Sequence, residues 1–451
     1  MARGATVKGS TISSADLIGI GRLDAGYYLS GAGAIRARVA AVRGVTQHPI
    51  ESFARVFAPS RFKRTYAVPG EDSVSYLRPY DVFEYLPPEA DRLSVSRTAK
   101  LDDYRIYEGD ILQTCSGRNL GPVTIADSYL AQFVLSHDMV RITVEDRVQR
   151  LYLLAFLRSR TGQALLRSDR GGSVISHIGV DHVGALNVPF VDRLVDRVAG
   201  DVEVAVALRS QARRVLRDAV DGLNATYPTP DAHLHDGWTV RASDLFGRFD
   251  AAFHSEQVAT VRSTLSNDGG AQLGDVAKVT KPGGRPKLVY VDAEHGSPFL
   301  SGRQILQADL IAAKYLSQNN ASIDERFELE SGMVIFQADG RAEESLGYPS
   351  LVSHDRAGWL ASGHVGRAKA FDHADAGWIW ASMASNVVRA QVAALSCGSV
   401  VDAVYPEDLE AVVLPPREAV DATAIDLAWT ELAKSSELLF QASSAIDDAL
   451  A

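Results

Sequence analysis

Gly21-Arg22-Leu23-Asp24-Ala25-Gly26-Tyr27-Tyr28 reappears as Gly247-Arg248-Phe249-Asp250-Ala251-Ala252-Phe253-His254, 226 residues further along the chain. The echo persists at the same shift. Phe133 to Arg141 lies over Trp359 to Arg367, Gly172-Ser173-Val174 over Gly398-Ser399-Val400, Asp181-His182-Val183 over Glu407-Asp408-Leu409, and Pro189 over Pro415. Between these, Gly109 and Gly117-Arg118 match Gly332 and Gly340-Arg341 at a shift of 223, a small indel inside the unit. A period of half the 451-residue chain is a duplicated domain, not a solenoid. Two similar modules in one chain suit a target with two similar parts.

Each copy opens with short β-branched and aromatic runs punctuated by Gly, Pro, Asn and Asp, which read as strands and turns. A strand and glycine loop follow, Tyr107 to Val123 and Leu329 to Leu346, then a helix, Leu151 to Arg167 and Gly377 to Leu395. Each copy ends in a long amphipathic helix. Leu194, Val198, Val202, Ala205, Leu208, Ala212, Leu216 and Leu223 stripe the first, and Ile425, Ala428, Trp429, Leu432, Leu439, Ala442 and Ile446 the second, at three- and four-residue steps. Pro189 and Pro415-Pro416 are read as the points where these helices start. Two stripes at equivalent repeat positions predict antiparallel pairing with each other. The expected fold is α+β and internally duplicated. It has a first module over 1–190, a helix over 191–223, a linker over 224–240, a second module over 241–415 and a second helix over 416–451.

Composition is ordinary for a globular chain, with 23% charged and 46% hydrophobic residues. The N-terminus lacks the apolar stretch of a signal peptide, and no run approaches a membrane span. Cys115 and Cys397 fall at non-equivalent repeat positions, which argues against a disulfide framework or a four-ligand zinc site and suits a reducing cytoplasm. The net charge of −10 is unevenly spread: residues 1–190 carry 23 Lys+Arg against 19 Asp+Glu, and residues 241–415 carry 15 against 22. A nucleic-acid partner must therefore be met by local basic patches, more easily in the first module than in the second.

Enzyme motifs are missing. Ser30 to Arg36 (SGAGAIR) lacks the third glycine of a dinucleotide loop, and there is no Walker lysine, no His-Glu-x-x-His, no Gly-x-Ser-x-Gly and no Asn/Asp-Pro-Pro-Tyr/Phe tetrapeptide of amino-methyltransferases. His177 and His182 have Ala403 and Asp408 as repeat counterparts, so the repeat does not keep a metal pair, and a polar cap is the better reading of His182/Asp408. No cofactor and no catalytic residue is expected. What remains is a set of basic clusters with interleaved aromatics. In Arg61-Phe62-Lys63-Arg64-Thr65-Tyr66, a strand would place Arg61, Lys63 and Thr65 on one face and Phe62, Arg64 and Tyr66 on the other. Lys281, Arg285 and Lys287 form an extended basic loop in the second copy, and Arg118-Asn119 is matched in part by Arg341. Arg and Asn read guanine and adenine edges, and Lys suits phosphate. The candidate DNA-binding residues are therefore Arg61, Lys63, Arg64, Tyr66, Arg118, Asn119, Lys281, Arg285, Lys287, Arg303 and Arg341. The plain alternative for each cluster is a solvated turn.

In the order of its motifs, repeated twice, the chain resembles the specificity (S) subunit of type I restriction-modification systems. The resemblance rests on Arg22 to Tyr28 and Arg248 to Phe253, on Ser75 to Val82 (SYLRPYDV), on Glu108-Gly109-Asp110-Ile111-Leu112 through Gly121, and on Tyr152 to Pro189. It departs from the family at the long-helix starts, where the usual Pro-x-x-x-x-Gln is replaced by Pro189 to Arg193 and by Pro415 to Glu418. The resemblance implies a non-catalytic subunit for phage defence in the bacterial cytoplasm, associated with the nucleoid. Its two target-recognition domains would each read half of a split double-stranded DNA target. Its helices would dock methyltransferase subunits, and a motor-nuclease (restriction) subunit would join that complex. The alternative is a specificity-like scaffold or adaptor of another defence system with reduced DNA readout. A helix of ~30 residues is about 45 Å long, or roughly thirteen base pairs, which fits paired half-sites.

Overall fold

The structure is a computed structural model and describes residues 11, 14, 29, 31–87, 91–117, 119–168, 177–230, 238–245, 247–284, 286–320, 323–341, 345–398 and 401–451. The octapeptide at 21–28, Ser30, Arg118, the Gly-Ser-Val of 172–174, the histidines of the linker, Arg285, and residues 399–400 lie outside the described residues. The chain divides into two compact units: residues 1–82, 87–210 and 435–451, and residues 83–86 and 211–434.

The first unit is built on an antiparallel sheet of four strands in the order β2 (Ala54–Phe57), β8 (Met139–Val144), β5 (Ile111–Thr114), β6 (Val123–Ile125). A second sheet has the order β4 (Arg92–Ser94), β3 (Ser73–Leu77), β7 (Val134–Leu135), with β3 and β7 parallel. β1 (Val45–Pro49) pairs with β9 (Asn187–Val191). Helices α1 (Ala32–Ala41), α2 (Arg147–Arg158), α3 (Arg160–Ser168) and α4 (Val180–Gly184) complete the module. β8 is the central strand, five of its six residues buried, so both of its faces lie against protein. The Asp146 carboxylate starts α2 by accepting from the Gln149 amide at 2.8 Å.

The second unit repeats this plan. Its sheets have the orders β11 (Ala277–Thr280), β19 (Val365–Ala370), β15 (Met333–Gln337), β17 (Pro349–Leu351), and β12 (Tyr290–Val291), β14 (Lys314–Ser317), β13 (Gly296–Leu300), β18 (Leu360–Ala361), with β13 and β18 parallel. β10 (Ala271–Gln272) pairs with β21 (Val413–Leu414), and β16 (Asp339–Gly340) with β20 (Asp402–Ala403). Its helices are α6 (Glu256–Asn267), α7 (Leu273–Val276), α8 (Ala376–Ala384), α9 (Asn386–Leu395) and α10 (Pro406–Leu409). Residues 83–86 are built into this unit: the Tyr85 amide donates to Leu306 O at 3.1 Å and the Ala308 amide to Phe83 O at 2.8 Å. The Arg213 guanidinium holds the same segment through Glu84 O and Tyr85 O.

Two long helices, α5 (Val195–Thr226) and α11 (Ala422–Ala449), are shared between the cores. Val198, Val202 and Ala205 lie in the first core with Leu439, Ala442 and Ile446. Ala212, Leu216 and Leu223 lie in the second with Ile425, Ala428 and Leu432. The beginning of each helix thus meets the end of the other, which is the antiparallel pairing that the stripes predict. The apolar stripe holds them because burial, not propensity, supplies most helical stability.

The duplication extends to single hydrogen bonds. Arg141, buried in β8, donates to Tyr104 O and Leu135 O, and Arg367, buried in β19, donates to Phe327 O and Ala361 O. All three positions correspond under the repeat. Burial pushes both guanidinium groups down from their ordinary value, Arg367 to about 10. Gly109 and Gly332 both take positive φ, +90° and +83°, where an L side chain is strained. Ser116 bridges His177 where Asp339 bridges Ala403.

Local structure departs from the sequence reading in three places. The helix predicted over Leu151 to Arg167 is two helices, broken at Ser159, and its counterpart is broken at Ser385. The Ser159 hydroxyl donates to Phe156 O and accepts from the Gly162 amide, so it closes one helix and caps the next. The long helices do not start at the prolines. Pro189 lies in β9 and Pro415 follows β21, and the helices begin at Val195 and Ala422. Val191 stays extended because it pairs with Val45 and its amide donates to the Tyr152 hydroxyl. Residues 61–65 are irregular rather than a strand, and only Tyr66 bridges, to Leu93.

Candidate nucleic-acid interface

Three segments converge at one edge of the first unit. The first carries Arg61, Lys63 and Arg64, all exposed, and Tyr66, half exposed. Phe62 anchors it: its ring stacks on Tyr104 at 3.7 Å and meets Tyr76 and His137 edge-on. The Arg64 guanidinium lies 5.6 Å from the Tyr76 ring. Phe62 and Arg64 therefore share a face as alternation predicts, although the segment is not a strand. Arg97 ties Tyr66 O to Glu71 and holds that carboxyl well below the usual carboxylate range.

The second segment is the loop after β5. Its Thr114 hydroxyl donates to Asn119 O at 3.0 Å, and Gly121, at φ +98°, presents its carbonyl to the Gln163 amide. Cys115 in this loop is buried, which pushes its thiol up to about 12, with Asp138 adding to the shift. The third segment is the turn Ser136-His137-Asp138. The Asp138 amide donates to the Ser136 hydroxyl at 3.2 Å, and the Asp138 carbonyl accepts from the Cys115 amide. The Phe62 and His137 rings lie 6.4 Å apart, so the turn adjoins the basic segment.

The second unit assembles the equivalent edge with different side chains. Lys281 pairs with Asp339 at 2.7 Å and lies 5.6 Å from the ring of Tyr405, which is 50% exposed. The other Asp339 oxygen accepts from His364 Nδ1 at 2.5 Å. His364 ends the turn Ser362-Gly363-His364, whose amide again donates to the serine hydroxyl, at 3.1 Å. A Cβ on Gly363 would stand 3.1 Å from Pro282 O, so the turn abuts the 281–284 loop. Lys287 and Arg341 are exposed, with Lys287 O accepting from Asn320 and Arg341 O from Ser345 and Leu346.

The structure puts Arg61, Lys63, Arg64 and Tyr66 on one segment beside the Ser136–Asp138 turn, Asn119 in the loop after β5, and Lys281 with Asp339 in the second unit. The Arg303 guanidinium donates at 2.6 Å to Glu84, whose side chain is 2% exposed, while its own side chain is 39% exposed. Asp138, His364 and Tyr405, which lie in these regions, were not singled out from the sequence. The signal was present: under the 226-residue shift, His137-Asp138 lies over Gly363-His364, a change of charge inside an otherwise matched segment.

The repeated opening motif has a structural role in the second unit. Arg248 pairs with Asp250 at 2.8 Å and Asp408 at 3.0 Å, and the Asp250 carboxylate accepts from the Phe253 amide. His182, the counterpart of Asp408, hydrogen-bonds Leu166 O at 3.0 Å. Both act as polar tethers. Both cysteines are free. Among the described residues no cluster of three or more His, Cys, Asp or Glu could hold a metal ion, and no helix is long and apolar enough to cross a membrane.

No family model matches the chain, and no curated protein matches it. Solved structures do. The type I restriction-modification system S subunit from M. genitalium is similar at 13% identity over 91% of this chain and 96% of that chain, with a TM-score of 0.31. The HsdS subunit from Thermoanaerobacter tengcongensis is similar at 14% identity over 90% and 97% of the two chains, with a TM-score of 0.28. A third, from work on assembly and conformational transition of the type I R-M system, is similar at 14% over 90% and 98%, also with a TM-score of 0.28. The likeness runs along nearly the whole chain but fixes no common geometry at these TM-scores and gives no residue a role.

Proposed function

We propose that the chain is a non-catalytic DNA-recognition subunit of the type I restriction-modification kind, each unit reading one half of a bipartite duplex target. The observation that carries this reading is one edge built twice on the same backbone plan with different charged side chains. Two unlike half-sites call for that arrangement. The exposed Arg61, Lys63, Arg64 and Tyr66 supply phosphate and base contacts in the first unit, with Asn119 and the adjoining Arg118. Lys281, Arg285, Lys287 and Arg341 do so in the second. Methyltransferase subunits dock on the long helices, where Val204, Leu427 and Phe440 are 51%, 58% and 66% exposed, large apolar side chains outside the buried stripes. A restriction subunit joins that complex in a bacterial cytoplasm, at the nucleoid. The test is selection of the full-length chain, alone and with its methyltransferase, on a random duplex library. The expected result is a split consensus and an affinity that falls with salt. Equal binding to selected and random duplexes would overturn the proposal. A scaffold with reduced readout is the second reading, favoured by Lys281 being neutralised by Asp339. It expects Arg61, Lys63 and Arg64 to be replaceable by Ala without loss of function.

A further inference from the structure

We propose that the last residues of the two serine turns, Asp138 and His364, are specificity-determining residues, each reading a base edge in its own half-site. The inference rests on the DNA-recognition reading above and goes beyond it by naming the side chains and the base chemistry.

The two turns are held alike. The Ser136 amide donates to Leu77 O at 3.1 Å, and the Ser362 amide donates to Leu300 O at 2.9 Å. The Asp138 carbonyl accepts from the Cys115 amide at 3.5 Å, and the His364 carbonyl from the Ala338 amide at 3.0 Å. Leu77 and Leu300, and Cys115 and Ala338, are repeat equivalents at a shift of 223. The same backbone therefore delivers a carboxylate in one unit and an imidazole in the other. Both side chains are accessible, 42% for Asp138 and 66% for His364. Both adjoin basic residues: the Asp138 turn meets the Arg61–Tyr66 segment through His137 and Phe62, whose rings lie 6.4 Å apart, and His364 shares Asp339 with Lys281. A rigid mount with an interchangeable tip beside phosphate-binding groups is the arrangement direct readout needs, since phosphate contacts fix register and tip residues read sequence.

Chemistry then separates the half-sites. Asp138 accepts hydrogen bonds only, so it matches an exocyclic amino group, that of cytosine or adenine, in the major groove. Asp339 accepts from His364 Nδ1, which places a proton there and leaves Nε2 for the incoming edge. His364 therefore presents a ring nitrogen to the edge of its half-site where Asp138 presents a carboxylate. Asp339 is then a positioning residue, and its charge also offsets Lys281.

The experiment is duplex-library selection with the full-length chain and the variants D138A, D138N, D138H and H364A. Both positions are at the surface, and circular dichroism checks that each variant folds. The expected result is a split wild-type consensus in which D138A relaxes one base pair of one half and H364A one base pair of the other. Each loses roughly tenfold in discrimination, the magnitude of one good base contact. D138N broadens that position, and D138H changes the base preferred there. If the wild type selects no split consensus, the DNA reading itself fails. If the wild type selects one and the variants keep it, weaken all sequences equally, or alter the same half, the assignment of Asp138 and His364 is overturned while the DNA reading stands.

Discussion

The Tyr152 hydroxyl donates to the Pro189 carbonyl at 2.8 Å, and 226 residues on the Trp378 indole N–H donates to the Pro415 carbonyl at 2.9 Å. A phenol and an indole hold the same backbone oxygen in the two copies. What the duplication kept is a donor at that point in the helix, not the residue. Tyr152 does more than Trp378, because its oxygen also accepts from the Val191 amide at 3.1 Å.

Replacing Tyr152 by Phe leaves the Val191 N–H and the Pro189 carbonyl buried without this partner, at a cost of about 1–3 kcal/mol. All five tryptophans lie at or beyond Trp238, in the second unit. Tryptophan fluorescence therefore follows that unit, while far-UV circular dichroism follows both. The Y152F chain should lose stability in the dichroism transition and keep its fluorescence midpoint. An equal shift of both signals would mean that the units unfold as one.

Arg303 to Ala should act on stability through Glu84. It strips an ion-pair partner from Glu84, and a buried carboxylate left short of its partner costs about 3 kcal/mol. The companion Glu84 to Gln removes the charge as well and should recover part of that loss. Measured by urea denaturation, R303A less stable than the double variant R303A/E84Q is the expected order. A wild-type midpoint for R303A, with weaker DNA binding, would make Arg303 a DNA ligand rather than a structural partner of Glu84.

Changing Arg61, Lys63 and Arg64 together to Ala removes three exposed cations from a segment whose position is set by Phe62 rather than by them. Affinity should fall across all sequences, and the slope of log K against log salt should become shallower by roughly three. The fold should be retained, because the Phe62–Tyr104 stack is untouched. An unchanged slope would remove this segment from the interface.

How far the sequence carried these assignments depends on the distance between partners. The duplication was legible because Gly109 and Gly332, or Arg141 and Arg367, occupy positions where backbone conformation or a buried hydrogen-bond set admits few alternatives. The stripes of the long helices were legible because periodicity is local. The partners of Arg303 and Lys281 were not legible because Glu84 lies 219 residues from the first and Asp339 58 residues from the second. Proline positions misplaced the long-helix starts because the strand pairing of Val191 with Val45 outweighed the local helix signal. Asp138 and His364 were passed over because a polar residue in a turn is unremarkable in one copy. Only comparison of the copies marks it.

The second unit should gain stability on mild acidification through Asp426. Burial raises its carboxyl from the ordinary 3.8 to about 6, against the smaller opposing effects of His373, the Gly377 amide and Arg417. One of its oxygens is buried with no hydrogen-bond partner. A carboxyl raised on folding binds its proton more tightly in the folded state. Its contribution to stability is therefore fully present below about pH 4 and lost as pH rises through about 6. Asp426 to Asn should raise the fluorescence midpoint at pH 7.5, by on the order of 1 kcal/mol because the group is only half buried. The gain should shrink toward pH 4. A variant less stable than wild type at pH 7.5 would show that the charge, not the burial, dominates.

The ends of the long helices should carry measurable cap energy. The Asp447 carboxylate, in the last turn of α11, accepts from the Arg160 amide at 2.8 Å and the Thr161 amide at 2.9 Å, the open first turn of α3. In the other unit Asn224, near the end of α5, accepts from the Asn386 amide at 2.8 Å at the start of α9. Arg160 and Asn386 are repeat equivalents, so each long helix finishes by capping a short helix broken at the same serine. A side-chain cap is worth about 0.5–2 kcal/mol, and a carboxylate gains a few tenths more than an amide from the helix dipole. Asp447 to Ala should therefore cost about 1 kcal/mol and Asp447 to Asn much less, with faster amide exchange confined to the first turn of α3. Asn224 to Ala should speed exchange at the start of α9 instead. If D447A exchanges faster across the whole first unit, the contact is holding the long helix in its core rather than capping a short one.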